Sequence, residues 1–286
     1  MSDYTLAVLG GSGLYELEGL RQVEEIRVDT PYGPPSDAVV RGKLDDATLL
    51  FLPRHGRGHR VPPHAINFRA NVCALKKLGA THLVSVSAVG SMKEEIAPGD
   101  LVVVDQFIDL TKRRVSTFFD EDVAAHVGFA DPVCRDLASS VAAAASATGA
   151  KVHRGGTYVC IEGPQFSTRA ESLLYRSWGV SVIGMTAMPE AKLAREAELP
   201  FSTLALATDY DCWHQSEEDV TVEAVLAVMK KNVAFARRTL AGLLPQLPDP
   251  AKSPAHRALA GAVMTSPDAM SARAKASLAW LLPRAS

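Results

Sequence analysis

The stretch Thr5-Leu6-Ala7-Val8-Leu9-Gly10-Gly11-Ser12-Gly13 decides the fold. Its apolar run has the length of one buried strand, and the glycines that follow turn the chain and expose backbone N–H groups. The same unit recurs downstream. Residues 38–41 and 48–52 read as strands flanking Asp45-Asp46, a hairpin signal, and Arg54-His55-Gly56 follows the second. Phe68, Val72, Leu75 and Leu78 recur at helical spacing, so residues 65–78 form an amphipathic helix stopped by Gly79. Residues 82–86 are a strand, ending in Ser87-Ala88-Val89-Gly90-Ser91.

The second half keeps the rhythm, with strands at 101–104, 151–160, 180–183 and 201–207. Helices fall at 134–147, 168–178 and 189–197, the first two stopped by Gly149 and Gly179. Val222, Val225, Leu226, Met229, Val233, Ala236, Leu240 and Leu243 mark one face of a long helix. Pro245, Pro248, Pro250 and Pro254 break it, and a final helical segment follows. Such alternation without a composition shift predicts one α/β domain, with helices on both sides of a largely parallel sheet. The domain spans residues 1–286, with a core to about 247 and a C-terminal helical extension over about 255–286.

The 286 residues include 47% hydrophobic and 22% charged side chains, enough apolar surface for a sizeable core. A formal charge of -2 offers no basic surface for nucleic acid or membrane, so a small-molecule substrate is expected. The four cysteines lack metal or disulfide spacing, and the N-terminus lacks a basic leader, which places the protein in the cytoplasm.

In α/β sheets, ligands bind beyond the carboxyl ends of strands. Those positions hold Gly11-Ser12-Gly13, Arg54-His55, Ser87-Ala88, Met185-Thr186 and Thr208-Asp209-Tyr210-Asp211. Arg54 offers a planar fork, His55 a further donor, and Ser12, Ser87 and Thr186 hydroxyls, a set suited to a tetrahedral anion. Singly, each of these serines has the ordinary reading of a turn or cap. Asp209 and Asp211 point to one side if the extended conformation continues. They are then either a solvated loop capping the next helix or a carboxyl pair facing a ligand, with at least one pKa raised by repulsion and burial.

Other motifs are incomplete. Glu16 stands where a dinucleotide fingerprint needs its third glycine, and Gly10-Gly11-Ser12-Gly13 lacks the spacing of a nucleophile elbow. His55, His59 and His64 lie close together, but Gly56, Gly58, Pro62 and Pro63 make that stretch irregular, and no metal is expected.

The motifs Gly10-Gly11-Ser12-Gly13-Leu14, Arg54-His55-Gly56, Ser87-Ala88-Val89-Gly90-Ser91, Glu162-Gly163-Pro164-Gln165-Phe166-Ser167, Gly184-Met185-Thr186-Ala187-Met188-Pro189-Glu190 and Ala207-Thr208-Asp209-Tyr210-Asp211-Cys212-Trp213 together resemble the trimeric purine nucleoside phosphorylase family. The likeness is greatest to its 5′-methylthioadenosine branch, runs in order along nearly the whole chain and extends to Leu281-Leu282-Pro283-Arg284.

That resemblance implies a single-domain three-layer α/β/α sandwich with a mixed, largely parallel twisted sheet, its C-terminal extension closing over the site. It also implies a homotrimer and phosphorolysis of a purine nucleoside, with phosphate as co-substrate and no organic cofactor. By motif, Ser12, Arg54, His55, Ser87, Ala88 and Thr186 would hold phosphate, with Arg54, His55 and Asp209 carrying the catalysis. Met185 would pack under the ribose, and Phe166 and Ser167 would lie near the base. Asp209 would sit at N7 and Asp211 near a 6-amino group. Val222, Leu226, Leu281 and a neighbouring subunit's His126 would surround the 5′ substituent, although Val222 and Leu226 also fit plain core packing. Departures from the family pattern are Ser12 and Ser87 in place of threonine and a shorter, altered stretch at 111–129. The implied reaction releases adenine from a 5′-methylthio nucleoside. The alternatives are another 5′-substituted adenosine, a general purine nucleoside phosphorylase, a hydrolytic nucleosidase and a nucleoside-binding protein without turnover.

Overall fold

The first strand already serves two cores: Leu6 and Val8 pack into one hydrophobic cluster and Ala7 and Leu9 into another, as side-chain alternation requires. The computed structural model describes residues 4–120, 122–214 and 222–282, without the side chains of Ser12 and of residues 222–226. In chain order the elements begin with β1 (Thr5–Gly10), β2 (Arg21–Ile26), β3 (Val39–Leu44), β4 (Ala47–Pro53), α1 (Phe68–Lys77) and β5 (His82–Ser91). There follow β6 (Leu101–Val104), β7 (Gln106–Asp109), α2 (Arg135–Ala147), β8 (Val152–Arg154), β9 (Thr157–Cys160) and α3 (Arg169–Ser177). The chain continues through β10 (Val182–Gly184), α4 (Ala187–Glu196), β11 (Phe201–Asp209), α5 (Val222–Leu243) and α6 (Ala272–Leu278).

All the described strands join one 11-stranded mixed sheet in which β5 is the branch point. One arm runs β5-β1-β4-β3-β2, with β1 parallel to both β5 and β4. On its other side β5 pairs in parallel with β11, and its carboxyl end pairs antiparallel with β10. The pairs β10-β9, β6-β8 and β11-β6, with β8 running on into β9, bring these strands round into a small barrel.

Helices cover both faces, as the sequence predicts. The cluster holding Ala7 and Leu9 also takes Val72 and Leu75 of α1, Leu193 of α4 and Leu278 of α6. The cluster holding Leu6 and Val8 takes Leu137 and Val141 of α2 and Leu240 of α5. Each fully buried leucine among them contributes roughly 2 kcal/mol. Local chemistry sets the helix ends: Asn67 caps α1 through the Ala70 N–H, and Thr168 with Glu171 forms a capping box on α3. Gly79 and Gly179, at φ 88 and 77, terminate these helices.

Several boundaries differ from the sequence reading. The strand read at 151–160 is two, β8 and β9, because Gly155 and Gly156 take φ 80 and 110 between them. The strand read at 82–86 runs on to Ser91, so Ser87 and Ala88 lie inside β5 rather than after it. The helix read from 189 begins at Ala187, with non-helical Met188 and Pro189 inside its first turn. Strands β2 and β7 have no counterpart in that reading; β2 is exposed along nearly its whole length and carries no apolar run.

After α5 the chain makes short turns and enters α6, and Trp280, Leu281 and Leu282 pack on the α1/α4 cluster. The four cysteines are free. No helix among the described residues is long and apolar enough to cross a membrane.

Candidate active site

Strand β5 is the spine on which the strand-end residues assemble. At Ser85 its hydroxyl lies 2.8 Å from Arg54 Nη2 and donates to Glu190 Oε2 at 2.6 Å. Arg54, carried just past β4, is buried with its fork closed on Glu190 of α4, Nε to Oε1 at 2.5 Å and Nη2 to Oε2 at 3.0 Å. Its remaining bonds run to the carbonyls of Val86 and Leu9. Of its five N–H donors, one on Nη1 has no acceptor among the described residues.

Two residues along β5, Ser87 Oγ sits 3.0 Å from Thr186 Oγ1 and 3.2 Å from Tyr158 OH. Ser87, Thr186 and Tyr158 are buried, and burial pushes the Tyr158 phenol up to about 12, so it remains a neutral donor. Tyr158 also packs so closely on Gly184 that a Cβ there would stand 2.0 Å from its hydroxyl. Gly184→Ala is therefore expected to displace Tyr158 and lower stability by about 1–3 kcal/mol. Thermal melting would show this as a lower Tm, recovered in part by adding Tyr158→Phe.

His55 follows Arg54 and sets its Nδ1 2.8 Å from the Val61 carbonyl. A carbonyl only accepts, so Nδ1 carries the proton and the neutral ring presents Nε2 as a lone pair. Burial lowers this imidazole to about 4. Its ring stacks on His59 with centroids 4.1 Å apart. Among the described residues no cluster of His, Cys, Asp or Glu is placed to hold a metal.

The acidic pair does not continue an extended strand. β11 ends at Asp209, and Asp211 takes φ 52 at the start of a short helical turn. Both nevertheless converge over Gly90, where an added Cβ would stand 3.0 Å from Asp209 Oδ1 and 3.2 Å from Asp211 Cβ. Asp209 accepts from the Asp211 N–H at 2.8 Å and from Thr208 Oγ1 at 2.7 Å, and Asp211 accepts from Ser172 Oγ. Capping of the turn and convergence on one point thus occur together.

Gly11, Gly13, Leu14, Val86, Ala88, Leu206, Thr208, Met229, Asn232 and Val233 line a mostly apolar cleft of about 110 Å³, in which Ala88 and Thr208 are the chain neighbours of Ser87 and Asp209. Met185 packs against Gly163, where a Cβ would stand 2.5 Å from its sulfur, and so joins the Gly184-Met185-Thr186 turn to the loop carrying Phe166 and Ser167. Phe166 is 85% exposed, and Ser167 Oγ is buried without a partner among the described residues. His126 lies elsewhere, its N–H bonded to the Ala262 carbonyl beside the bridge of Ala125 to Val263. The Ser12, Val222 and Leu226 side chains fall outside the described residues.

Sequence reasoning did not single out Ser85, Glu190, Tyr158 and Arg114 as site residues. Arg114 binds the Glu162 carboxylate and the carbonyls of Met185, Met188, Ile161 and Glu162. Glu190, a carboxylate on an otherwise apolar helical face with all of its surface buried, left the one legible signal.

The chain matches a known family model, the phosphorylase superfamily, over residues 5–245. The chain belongs to the phosphorylase superfamily. This phosphorylase is 56% identical over 274 residues to the S-methyl-5′-thioadenosine phosphorylase of Geobacter sulfurreducens, covering 96% of each chain. It is 51% identical to that of Synechocystis, covering 99% of this chain and 88% of the relative. Among solved structures, a methylthioadenosine phosphorylase from an Antarctic soil metagenomic library superposes with a TM-score of 0.94 at 47% identity, covering 99% of this chain and 100% of the other. The Schistosoma mansoni methylthioadenosine phosphorylase in complex with adenine superposes with a TM-score of 0.80 at 37% identity, covering 85% and 91%.

Proposed function

We propose that this phosphorylase cleaves S-methyl-5′-thioadenosine reversibly with inorganic phosphate, yielding adenine and 5-methylthioribose 1-phosphate. The observation that carries this reading is whole-length likeness to relatives of that name, joined to a buried Ser87–Thr186 hydroxyl pair and an acidic pair converging over Gly90 of the same strand β5.

A phosphate oxygen attacks the anomeric carbon as the bond to N9 breaks, and the electron pair passes into the purine. The transition state places positive charge on the sugar, so alignment and electrostatics carry the rate. Ser12, Arg54, Ser87, Ala88 and Thr186 hold the phosphate, and His55 joins them as an acceptor, its Nε2 lone pair taking the hydrogen of a protonated phosphate oxygen. Met185 underlies the ribose, and Phe166 and Ser167 flank the base. Asp209 supplies a hydrogen bond or proton at N7 as charge arrives there, and Asp211 takes the 6-amino group. Val222, Leu226 and Leu281 line the 5′ pocket, with His126 contributed by a neighbouring subunit of a homotrimer. The position of His126 beside the C-terminal segment supports the idea that the two act as one arm toward that neighbour. The extension would in this way close over a site. Phosphate is a co-substrate and no organic cofactor takes part. Four free thiols suit a cytoplasmic setting.

Adenine release from S-methyl-5′-thioadenosine should require phosphate and exceed release of hypoxanthine from inosine by at least ~100-fold, the scale an apolar 5′ pocket alone supplies, with the acidic pair adding to it. Assays of both nucleosides with and without phosphate check this. Release without phosphate would turn the reading to hydrolysis.

A further inference from the structure

Arg54 presents an unusual anion site, because its charge is already matched. Its fork is bidentate on Glu190, the two side chains are 3% and 0% exposed, and Ser85 bonds to both partners. The neighbouring His55 is neutral, with its single ring proton committed to the Val61 carbonyl. What remains for a bound anion is a set of donors without unmatched charge: the free Nη1 hydrogen of the paired Arg54, the hydroxyls of Ser87 and Thr186, and backbone N–H groups.

We propose that Glu190 is a positioning residue that neutralises Arg54, so that the site holds phosphate by hydrogen bonds without withdrawing its charge. This rests on the assignment of Arg54 to phosphate above. An unmatched guanidinium would bind the ground-state anion tightly and keep its negative charge, the charge that must reach the cationic sugar in the transition state. Binding energy spent on the ground state does not raise kcat. Glu190 therefore weakens phosphate binding and speeds the reaction. The carboxylate also fixes the plane of the fork, which aims the free Nη1 hydrogen.

The test is Glu190→Gln, which keeps size and one acceptor oxygen. KM for phosphate should fall about 10-fold and kcat about 100-fold, a split that a merely structural lesion does not produce. KM for the nucleoside should stay within about 3-fold. Glu190→Asp, which restores the charge, should bring KM for phosphate back toward the parent value. Ser85→Ala, which leaves the ion pair intact, should not lower it. Because removing one partner of a buried pair destabilises a protein, Tm is measured with and without phosphate. Phosphate should raise the Tm of Glu190→Gln more than that of the parent, the anion replacing the lost carboxylate. A higher or unchanged KM for phosphate in Glu190→Gln overturns the proposal, as does a variant that stays unfolded in saturating phosphate. Parent protein without phosphate-dependent adenine release would instead sink the functional reading itself, so the two failures are separable.

Discussion

Asp209→Asn is expected to slow adenine release from S-methyl-5′-thioadenosine by about 10²–10⁴-fold, the range of a positioned general acid, while raising relative use of inosine. The fold tolerates the change. Asn can keep its amide oxygen on the Asp211 N–H, where Asp209 Oδ1 now accepts at 2.8 Å, and turn its NH₂ toward Thr208, whose hydroxyl rotates from donor to acceptor. What is lost, on the role proposed above, is a carboxyl group that can bring a proton to N7 as the electron pair enters the purine. What is gained is an amide N–H, the one not turned to Thr208, that donates to the N7/O6 edge of a 6-oxopurine, both acceptors, whereas adenine presents a donor beside N7. Steady-state kinetics on both nucleosides read the outcome, with Tm as the control for folding. Equal loss on both substrates together with a lower Tm would assign Asp209 to structure, and unchanged turnover of the 6-aminopurine nucleoside would remove its chemical role.

The sequence carried the elements whose signal is local. Strand β1 and the α1 and α3 ends were legible because an apolar run stops at glycine, or because a cap stands before a periodic face. Strand β2 was not, since its residues face solvent and its pairing with β3 depends on a partner elsewhere. The barrel was illegible for a related reason: β5 changes partners along its own length, pairing in parallel with β1 and antiparallel with β10. In the site, Arg54 and Thr186 follow strands and Asp209 ends one, as their places in the sequence suggest, whereas Ser87 lies inside β5. Glu190 and Arg114 could not be paired with anything, because their partners lie 136 and as many as 74 residues away in the chain.

Arg114 is the residue whose importance only the folded chain reveals, and Arg114→Ala is expected to cost about 3–5 kcal/mol of stability, the usual penalty for breaking a buried ion pair. Its guanidinium is buried, with Nε on Glu162 Oε1 at 2.9 Å, Nη1 on the Met185 and Met188 carbonyls at 2.7 and 2.6 Å, and Nη2 on the Glu162 carbonyl at 2.7 Å. One planar group thus ties the turn bearing Met185 to the loop bearing Phe166 and Ser167. Glu162 is held in the same knot: burial raises its pKa, but the Lys112 and Arg113 N–H groups and Arg114 outweigh that and leave it below the usual range. Without the fork, four carbonyls and a carboxylate lose a shared partner, and the turn bearing Met185 and the loop bearing Phe166 and Ser167, proposed above to meet ribose and base, can drift apart. A displacement of about 1 Å is enough to cost ~10²-fold in rate, so kcat/KM for the nucleoside should fall by about 10²-fold or more, shared between a lower kcat and a KM raised about 10-fold. KM for phosphate should move less than about 3-fold, because Thr186 is held independently by Ser87. Arg114→Lys should recover little, since a point charge cannot reach all five acceptors. Calorimetric melting and kinetics varied separately in each substrate decide the matter. A lower Tm with both KM values unchanged would mean that the knot only supports the fold, and equal loss toward both substrates would mean that the two halves of the site do not move independently.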